Sequence, residues 1–270
     1  NKLRVKIGYP DKWKDYSALT IKSPAEGGTF FENVRNIAIW RNKENFAELT
    51  KPVDKDRWGM APQTVNAYYN PSNNEIVFPA AILQPPFYNY QADEAVNYGG
   101  IGGVIGHEIS HGFDDSGARY NADGNLVDWW TPEDLKKFGA LTGALAAQYS
   151  ALQPLPGTFV DGKFTLGENI ADHGGLQVSF QAFKNATKNA PLTTIDGFTP
   201  EQRFFLSYSN VWAGNIRPEE ILVLTKSDPH SLGKWRVNGA LPHIQAWYDA
   251  FGIEATDPMY LKPENRVSIW

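Results

Sequence analysis

The sequence predicts a mainly α-helical chain with a small β-sheet, an α+β fold. Two observations predict it: helix-start signals recur along the chain, and only short alternating segments favour strands. The chain has 270 residues, of which 42% are hydrophobic, enough for one large domain or two small ones. Because no linker, repeat or low-complexity segment divides it, we expect one domain over residues 1–270.

The predicted strands lie in two regions. Residues 1–22 predict a short strand, a turn at 9–12 and a further alternating segment. Residues 66–69 and 75–78 alternate on either side of the turn-forming residues 70–74, which contain proline and several asparagines. The second region therefore predicts two strands joined by a turn.

Periodicity and helix-start signals predict five helices. They cover residues 27–50, a stretch capped by Asp93 that runs through His111, one that begins at Thr131, one that runs from Thr199 through Trp212, and residues 243–251. At Thr131 and Thr199 a threonine precedes a proline, which suits the N-cap and the first helical position.

Residues 107–111 read His-Glu-Ile-Ser-His and are the most informative segment. Histidines four apart share one helix face, so His107 and His111 can bind the same metal ion. A catalytic zinc takes three protein ligands and keeps a fourth position for water. Glu168 is the expected third ligand. Glu108 lies beside the metal, where it can take a proton from the bound water.

An alternative interpretation is a buried, hydrogen-bonded histidine pair. A bare His-Glu-x-x-His match arises by chance in about one chain per hundred of this size. The preceding residues 97–106 are small and mostly apolar, which is typical of a helix packed against other backbone. Ionisable groups on such a helix are costly unless they bind a metal or form hydrogen bonds.

Glu168 and Asp172 are also four apart and share a helix face. If Glu168 binds the metal, Asp172 can accept the free N–H of a ligating histidine and orient its ring. The alternative is an exposed acidic face, which is common in soluble proteins.

Composition excludes several classes. The net charge is −5 with no basic run, so we expect no nucleic-acid partner. No apolar stretch reaches the roughly 18 residues of a membrane span. Cysteine is absent, so a zinc site must use histidine and carboxylate, and no disulfide forms. The first residue is Asn1, so we expect a mature product or a fragment.

Several motifs occur in one order along the chain. They are residues 65–68 (Val-Asn-Ala-Tyr), 78–87 (Phe-Pro-Ala-Ala-Ile-Leu-Gln-Pro-Pro-Phe), 106–115 (Gly-His-Glu-Ile-Ser-His-Gly-Phe-Asp-Asp), 167–172 (Gly-Glu-Asn-Ile-Ala-Asp) and His230-Ser231-x-Gly233-x-x-Arg236. Together they resemble the neprilysin and endothelin-converting-enzyme family of zinc endopeptidases. The resemblance implies a thermolysin-like zincin (gluzincin) catalytic domain over residues 1–270. This would be the C-terminal portion of a longer architecture, whose absent N-terminal part closes over the cleft as a partner.

The resemblance also implies roles for the polar residues. His107, His111 and Glu168 would bind one zinc ion (Zn2+) per chain, and Glu108 would activate the water. Asp172 would hold a zinc histidine in position, and His230 would donate a hydrogen bond to the oxyanion. By itself, His230 could equally be an ordinary loop histidine.

The remaining implied residues would bind the substrate. Asn66 and the backbone of Ala67 would pair with the peptide as an added strand. Arg236 would bind a substrate carbonyl. Without the resemblance, Arg236 would be interpreted as a surface charge. The pocket for the residue after the cleaved bond would be lined by Ile82, Phe87, Val104 and Trp212. By default, the last three would be core residues, and they could be both core and pocket wall.

Four further residues have only local interpretations. We expect His173 and His243 to be structural. Asp114 and Asp115 could support His111 from outside the metal's ligand set.

The expected function is hydrolysis of small peptides on the amino side of large hydrophobic residues. Two rivals stay open, a non-catalytic peptide-binding module and a structural metal protein. The latter would want a fourth protein ligand. Ala213 follows Trp212 where vertebrate members carry a cysteine, which indicates a bacterial homologue. A periplasmic, cell-surface or secreted location is favoured over the cytoplasm.

Overall fold

The structure is a computed structural model that describes residues 2–269. The chain forms two compact units: Tyr9–Ala61, and a larger unit that combines the described residues on either side of it. The sequence shows no linker at these boundaries, and one catalytic domain over residues 1–270 stays a prediction. Within the described residues, no helix has both the length and the apolar character that a membrane crossing requires.

The smaller unit contains helix α1, Phe30–Glu48, which Thr29 caps with its side chain. The alternating segment predicted before it forms neither strand nor helix. Instead its backbone bonds to side chains of α1: Lys22 N–H donates to Asn33 Oδ1 at 3.0 Å, and Asn33 Nδ2 donates to Lys22 O at 2.8 Å. Backbone polar groups need partners, and here the helix supplies them in place of a neighbouring strand.

The larger unit contains a three-stranded sheet in the order β1-β3-β2, where β1 is Arg4–Gly8, β2 is Tyr68–Asn70 and β3 is Glu75–Pro79. Strand β1 runs parallel to β3, and β2 runs antiparallel to it. The central strand β3 is buried throughout, and Lys6 Nζ pairs with Glu75 Oε2 at 2.9 Å. The predicted strands are confirmed with small shifts of their ends.

The larger unit is otherwise helical. Its α-helices are α2 (Glu94–Asn97), α3 (Gly103–Ser110), α4 (Pro132–Ser150), α5 (Leu166–Thr187), α6 (Pro200–Val211), α7 (Pro218–Ser227), α8 (Gly233–Asn238) and α9 (Gln245–Phe251). Thr131 and Thr199 cap α4 and α6 as predicted. Helices α7 and α8 were missed, although Pro218 at the first position of α7 is a start signal. The mainly α fold with a small β-sheet is confirmed.

The single helix predicted from Asp93 through His111 is interrupted. Asp93 caps α2, but a π-helix, Tyr98–Gly102, separates α2 from α3. The cause is an outside acceptor: Ile101 N–H donates to the carbonyl of Phe87 at 2.6 Å instead of continuing the α-helical ladder. Helix α3 ends one residue before His111, which begins a 3₁₀ turn.

Helices α3 and α5 touch through their backbones. A Cβ atom added to Gly106 would lie 2.8 Å from Gly175 Cα, and one added to Gly175 would lie 2.7 Å from His107 Cα. No side chain fits between the two helices at this crossing. The glycines therefore set how closely the histidine motif approaches the helix that carries Glu168.

Two histidines are buried near α5. Tyr149 OH lies 3.2 Å from His173 Nε2, and His243 Nδ1 accepts a hydrogen bond from Val267 N–H at 2.8 Å. Burial lowers the pKa of His173 to about 3 and that of His243 to about 4, helped at His173 by the neighbouring His243 and at His243 by Arg266. Both rings therefore stay neutral in the folded protein near pH 7.

We expect Gly175→Ala to lower the free energy of unfolding by about 1–3 kcal/mol, because its methyl group forces the helices apart. Urea unfolding measures this. Gly139→Ala in α4 is the matched control: nothing lies within 4 Å of its added Cβ, so alanine should stabilise that helix by up to about 1 kcal/mol. Equal effects of the two substitutions would contradict the role of the crossing.

Acid should destabilise the protein through His173 and His243. Below about pH 6.5 the unfolded chain binds a proton at each histidine, whereas the folded protein does not, so the free energy of unfolding falls as pH falls. Between pH 7 and pH 5 we expect a loss of about 2 kcal/mol per histidine. Urea unfolding at both pH values should show a smaller difference in His173→Asn than in the parent protein. An unchanged difference would contradict the assignment.

Candidate metal centre

Three side chains from α5 and the end of α3 meet at one point. His107 Nε2 lies 3.0 Å from His111 Nε2 and 3.2 Å from Glu168 Oε2, and His111 Nε2 lies 3.5 Å from Glu168 Oε2. A tetrahedral zinc ion with bonds of about 2.0–2.1 Å separates its ligand atoms by about 3.3 Å. The spacing of the three atoms therefore fits one zinc ion.

The surroundings of Glu168 Oε2 also suit a cation. This oxygen is buried, and the polar atoms nearest to it are imidazole nitrogens, His107 Nε2 at 3.2 Å and His230 Nε2 at 3.3 Å, neither of which forms a well-aligned hydrogen bond with it. Burial alone would raise the pKa of Glu168, but the adjacent His107 and His111 lower it more than burial raises it. A buried ionised oxygen with no hydrogen bond is costly, and a metal ion bound between it and the two rings removes that cost.

Both histidines are oriented from behind by carboxylates. His107 Nδ1 lies 2.8 Å from Asp172 Oδ1, and His111 Nδ1 lies 2.7 Å from Asp114 Oδ2. These contacts turn each Nε2 toward the shared point. Burial lowers the pKa of both rings, but the carboxylates outweigh it, and the pKa of His111 rises to about 10. Zinc therefore competes with protons for this site.

Asp114 and Asp115 differ in position. Asp114 is buried and makes the contact with His111, whereas Asp115 is exposed. Of the two acids suggested by the sequence, the structure brings only Asp114 to the ring.

Arg236 is buried in an ion pair. Its Nε lies 2.8 Å from Asp172 Oδ2, and its Nη2 lies 2.6 Å from Asp172 Oδ1. The guanidinium also stacks on the Trp212 ring, 3.8 Å from its centroid. Burial raises the pKa of Asp172, but Arg236 and His107 together lower it more, to about 2, through their charges and hydrogen bonds. Arg236 is thus not an ordinary surface charge; it keeps Asp172 ionised behind His107.

Glu108 projects from the same helix as His107 and is 5% exposed. It is not one of the three residues whose ligand atoms lie together. Burial raises its pKa above the ordinary value, which makes its carboxylate a stronger base than an exposed glutamate.

His230 lies on the loop between α7 and α8 and is partly exposed. Asp228 Oδ1 accepts its backbone N–H at 2.9 Å and lies 2.7 Å from its Nδ1. Nε2 then lies 3.3 Å from Glu168 Oε2, but His230 does not belong to the metal cluster found in the described part of the chain. Asp228 was not predicted as a site residue. The available signal was its position, two residues before His230, where a carboxylate can reach the imidazole ring.

Asn66 and Ala67 precede β2, an edge strand of the sheet. Asn66 is exposed, and its Oδ1 accepts the backbone N–H of Ala67 at 2.9 Å. An extended peptide that adds to this edge must replace Asn66 Oδ1 as the acceptor of the Ala67 N–H.

The four predicted pocket residues fall into two groups. Ile82, Phe87 and Val104 belong to one apolar cluster with Ala67; Ile82 is only 2% exposed, whereas Phe87 and Val104 are half-buried. Trp212 packs against a second cluster and against Arg236. The half-buried members have surface that a ligand could touch, whereas Ile82 mainly packs in the core.

Residues 66–267 match the family model for peptidase family M13. Human neprilysin is 38% identical over 281 residues, which cover 99% of this chain and 37% of that protein.

Two solved bacterial structures are also similar. The Mycobacterium tuberculosis zinc metalloprotease Zmp1, solved with an inhibitor, matches with a TM-score of 0.96 and 49% identity, covering 100% of this chain and 41% of that one. PepO from Lactobacillus rhamnosis matches with a TM-score of 0.89 and 36% identity, also over 41% of its chain. This chain therefore spans about two fifths of these relatives, and the zincin fold class predicted from the sequence is confirmed.

We expect Asp172→Ala and Asp114→Ala each to weaken zinc binding by about 10- to 100-fold, because each frees a ligating imidazole to rotate. Competition titration with a chromogenic chelator measures the dissociation constant. Asp115→Ala is the matched control and should leave it unchanged. Equal zinc affinity in Asp172→Ala and Asp115→Ala would remove Asp172 from this role.

Proposed function

The chain belongs to peptidase family M13, and on that premise we propose that it is the zinc-bearing part of an endopeptidase that hydrolyses small peptides. The observation that carries the proposal is the convergence of His107, His111 and Glu168 with the buried base Glu108 beside them. We infer one zinc ion per chain, because the described residues contain one such cluster. A structural metal site is disfavoured, since the cluster has three protein ligands and not four.

Bound zinc would polarise the peptide carbonyl and lower the pKa of water toward about 7. Glu108 takes one proton from the attacking water, and the remaining OH bonds to the carbonyl carbon. Glu108 then gives that proton to the leaving nitrogen as the C–N bond breaks. One product gains a carboxyl group and the other an amine, so the atoms of one water molecule are accounted for.

His230 would stabilise the oxygen that becomes negative during attack. Its Nδ1 lies against Asp228 Oδ1, which leaves Nε2 as the nitrogen that would donate to the oxyanion. Its Nε2 lies on the same side as the proposed metal ligands, 3.3 Å from Glu168 Oε2. Asp228 thus fixes which ring nitrogen points at the substrate.

The substrate would be held by main-chain and side-chain contacts. Arg236 uses Nε and Nη2 on Asp172, so Nη1 is the nitrogen assigned to a substrate carbonyl. Asn66 and Ala67 would pair with the peptide along the edge of the sheet. The pocket of Ile82, Phe87, Val104 and Trp212 would favour cleavage before large hydrophobic residues. Burial of one such side chain gives a preference of roughly ten- to a hundredfold.

The share of the relatives that this chain covers supports a proposal about its partner. Because this chain matches about two fifths of human neprilysin, Zmp1 and PepO, we propose that an N-terminal part completes the enzyme and closes over the cleft. The bacterial neighbours favour a bacterial source. We propose a periplasmic, cell-surface or secreted location over the cytoplasm; the absence of cysteine is compatible with either compartment.

Glu108→Gln should retain zinc but lower kcat at least about 10²- to 10⁴-fold, because the amide cannot accept the proton. Cleavage of a quenched fluorescent peptide by the zinc-loaded protein measures kcat, with and without the N-terminal part. Glu220→Gln on the exposed face of α7 is the control and should leave kcat unchanged. Phosphoramidon should inhibit the parent protein.

The alternatives give different results. Full activity of Glu108→Gln would dismiss this mechanism. Peptide binding with no turnover, even with the N-terminal part present, would favour a binding module instead.

A further inference from the structure

Two buried side chains lie next in sequence to proposed site residues. Asn169 follows the metal ligand Glu168 on α5, and Ser231 follows His230 on the loop before α8. Both are buried, and Ser231 Oγ donates a hydrogen bond to Asn169 Oδ1 at 2.7 Å. The bond connects two positions that are far apart in sequence.

The acceptor in this bond is itself held in one orientation. Asn169 Nδ2 donates to Thr165 Oγ1 at 3.0 Å, and Thr165 Oγ1 donates to the carbonyl of Asp161 at 3.2 Å. Turning the amide over would remove the acceptor of Ser231 Oγ and would force Thr165 Oγ1 to donate to Asn169 instead of Asp161. Asn169 Oδ1 is therefore a fixed acceptor on the helix that carries Glu168.

The two contacts of His230 with Asp228 lie within one loop segment. Asp228 accepts from the ring and the backbone of His230, but Asp228 belongs to the same loop segment. These bonds fix the ring relative to the loop. The bond from Ser231 to Asn169 fixes the loop relative to α5, and so relative to the metal ligands.

We propose that Ser231 and Asn169 are positioning residues that hold the imidazole of His230 beside Glu168, where its Nε2 can reach the oxyanion. The inference rests on the proposed function. A displacement of about 1 Å is enough to lower a rate by about a hundredfold, so a donor on a partly exposed loop needs such a tether. Asn169 and Ser231 would not touch the substrate; they act through His230.

A double-mutant cycle tests the proposal on the zinc-loaded protein, assembled with its N-terminal part if the chain alone is inactive. Ser231→Ala should lower kcat about tenfold with little change in KM, because only the donor to the oxyanion is displaced. Ser231→Thr, which keeps the hydroxyl, should retain most of the activity. In a His230→Ala background, Ser231→Ala should cause no further loss.

Matched controls separate positioning from general damage. Ser227→Ala, at the exposed end of α7, should leave kcat unchanged. Zinc affinity of Ser231→Ala should stay within about twofold of the parent, unlike the loss expected for Asp172→Ala. Independent, multiplying losses from Ser231→Ala and His230→Ala would overturn the proposal. A fall in zinc affinity that matches the fall in kcat would also overturn it, because Ser231 would then act through Glu168.

A second measurement needs no turnover. Hydrogen exchange of the peptide covering residues 225–236 should speed up in Ser231→Ala, and not in Ser231→Thr or Ser227→Ala. Equal exchange in all variants would overturn the proposal even if the enzyme is active. If the assembled parent protein cleaves no peptide, the proposed function fails, and the exchange rates alone then decide whether this bond holds the loop.

Discussion

The site depends on the backbone contact between Gly106 and Gly175. Where these two glycines meet, α3 and α5 approach more closely than any side chain would permit. One helix carries His107, and the other carries Glu168 and Asp172. Because the crossing lies beside His107, a change of even a few tenths of an ångström there would shift the distances within the ligand set. Tight packing of small residues is thus the condition for the chemistry.

The charges at this crossing are arranged in layers. Glu168 Oε2 lies next to the Nε2 atom of His107, and Asp172 contacts the Nδ1 atom on the other side of the same ring. Arg236 pairs with Asp172 and stacks on Trp212. Each buried charge therefore has an opposite charge or a proposed cation as its neighbour, which is the condition under which buried ions are tolerated. Burial, with a smaller contribution from the charge of Glu168, raises the pKa of Glu108 and makes its carboxylate a stronger base. Burial of these charges costs free energy of folding, and the same burial makes Glu108 a stronger base.

The two proposed proton-handling groups are supported in different ways. Glu108 belongs to α3 and is placed by the same packing that places the histidines. His230 belongs to a loop, so its position depends on side-chain hydrogen bonds to Asp228 and, through Ser231, to Asn169. Helices thus carry the proposed metal ligands and base, while a loop joined to α5 by the bond from Ser231 to Asn169 carries the proposed oxyanion donor. Catalytic groups on loops commonly need such support from a rigid scaffold.

The sequence by itself determined the features of this protein that depend only on helical or strand periodicity. The four-residue spacings place His107 with His111, and Glu168 with Asp172, and the caps at Thr131 and Thr199 mark helix starts, because these relations lie within a turn or two of backbone. Tertiary structure alone decided that the Phe87 carbonyl interrupts the helix before α3, that Arg236 is buried against Asp172, and that Ser231 reaches Asn169. Those contacts join residues distant in sequence, and only the packing of the helices brings them within hydrogen-bond distance.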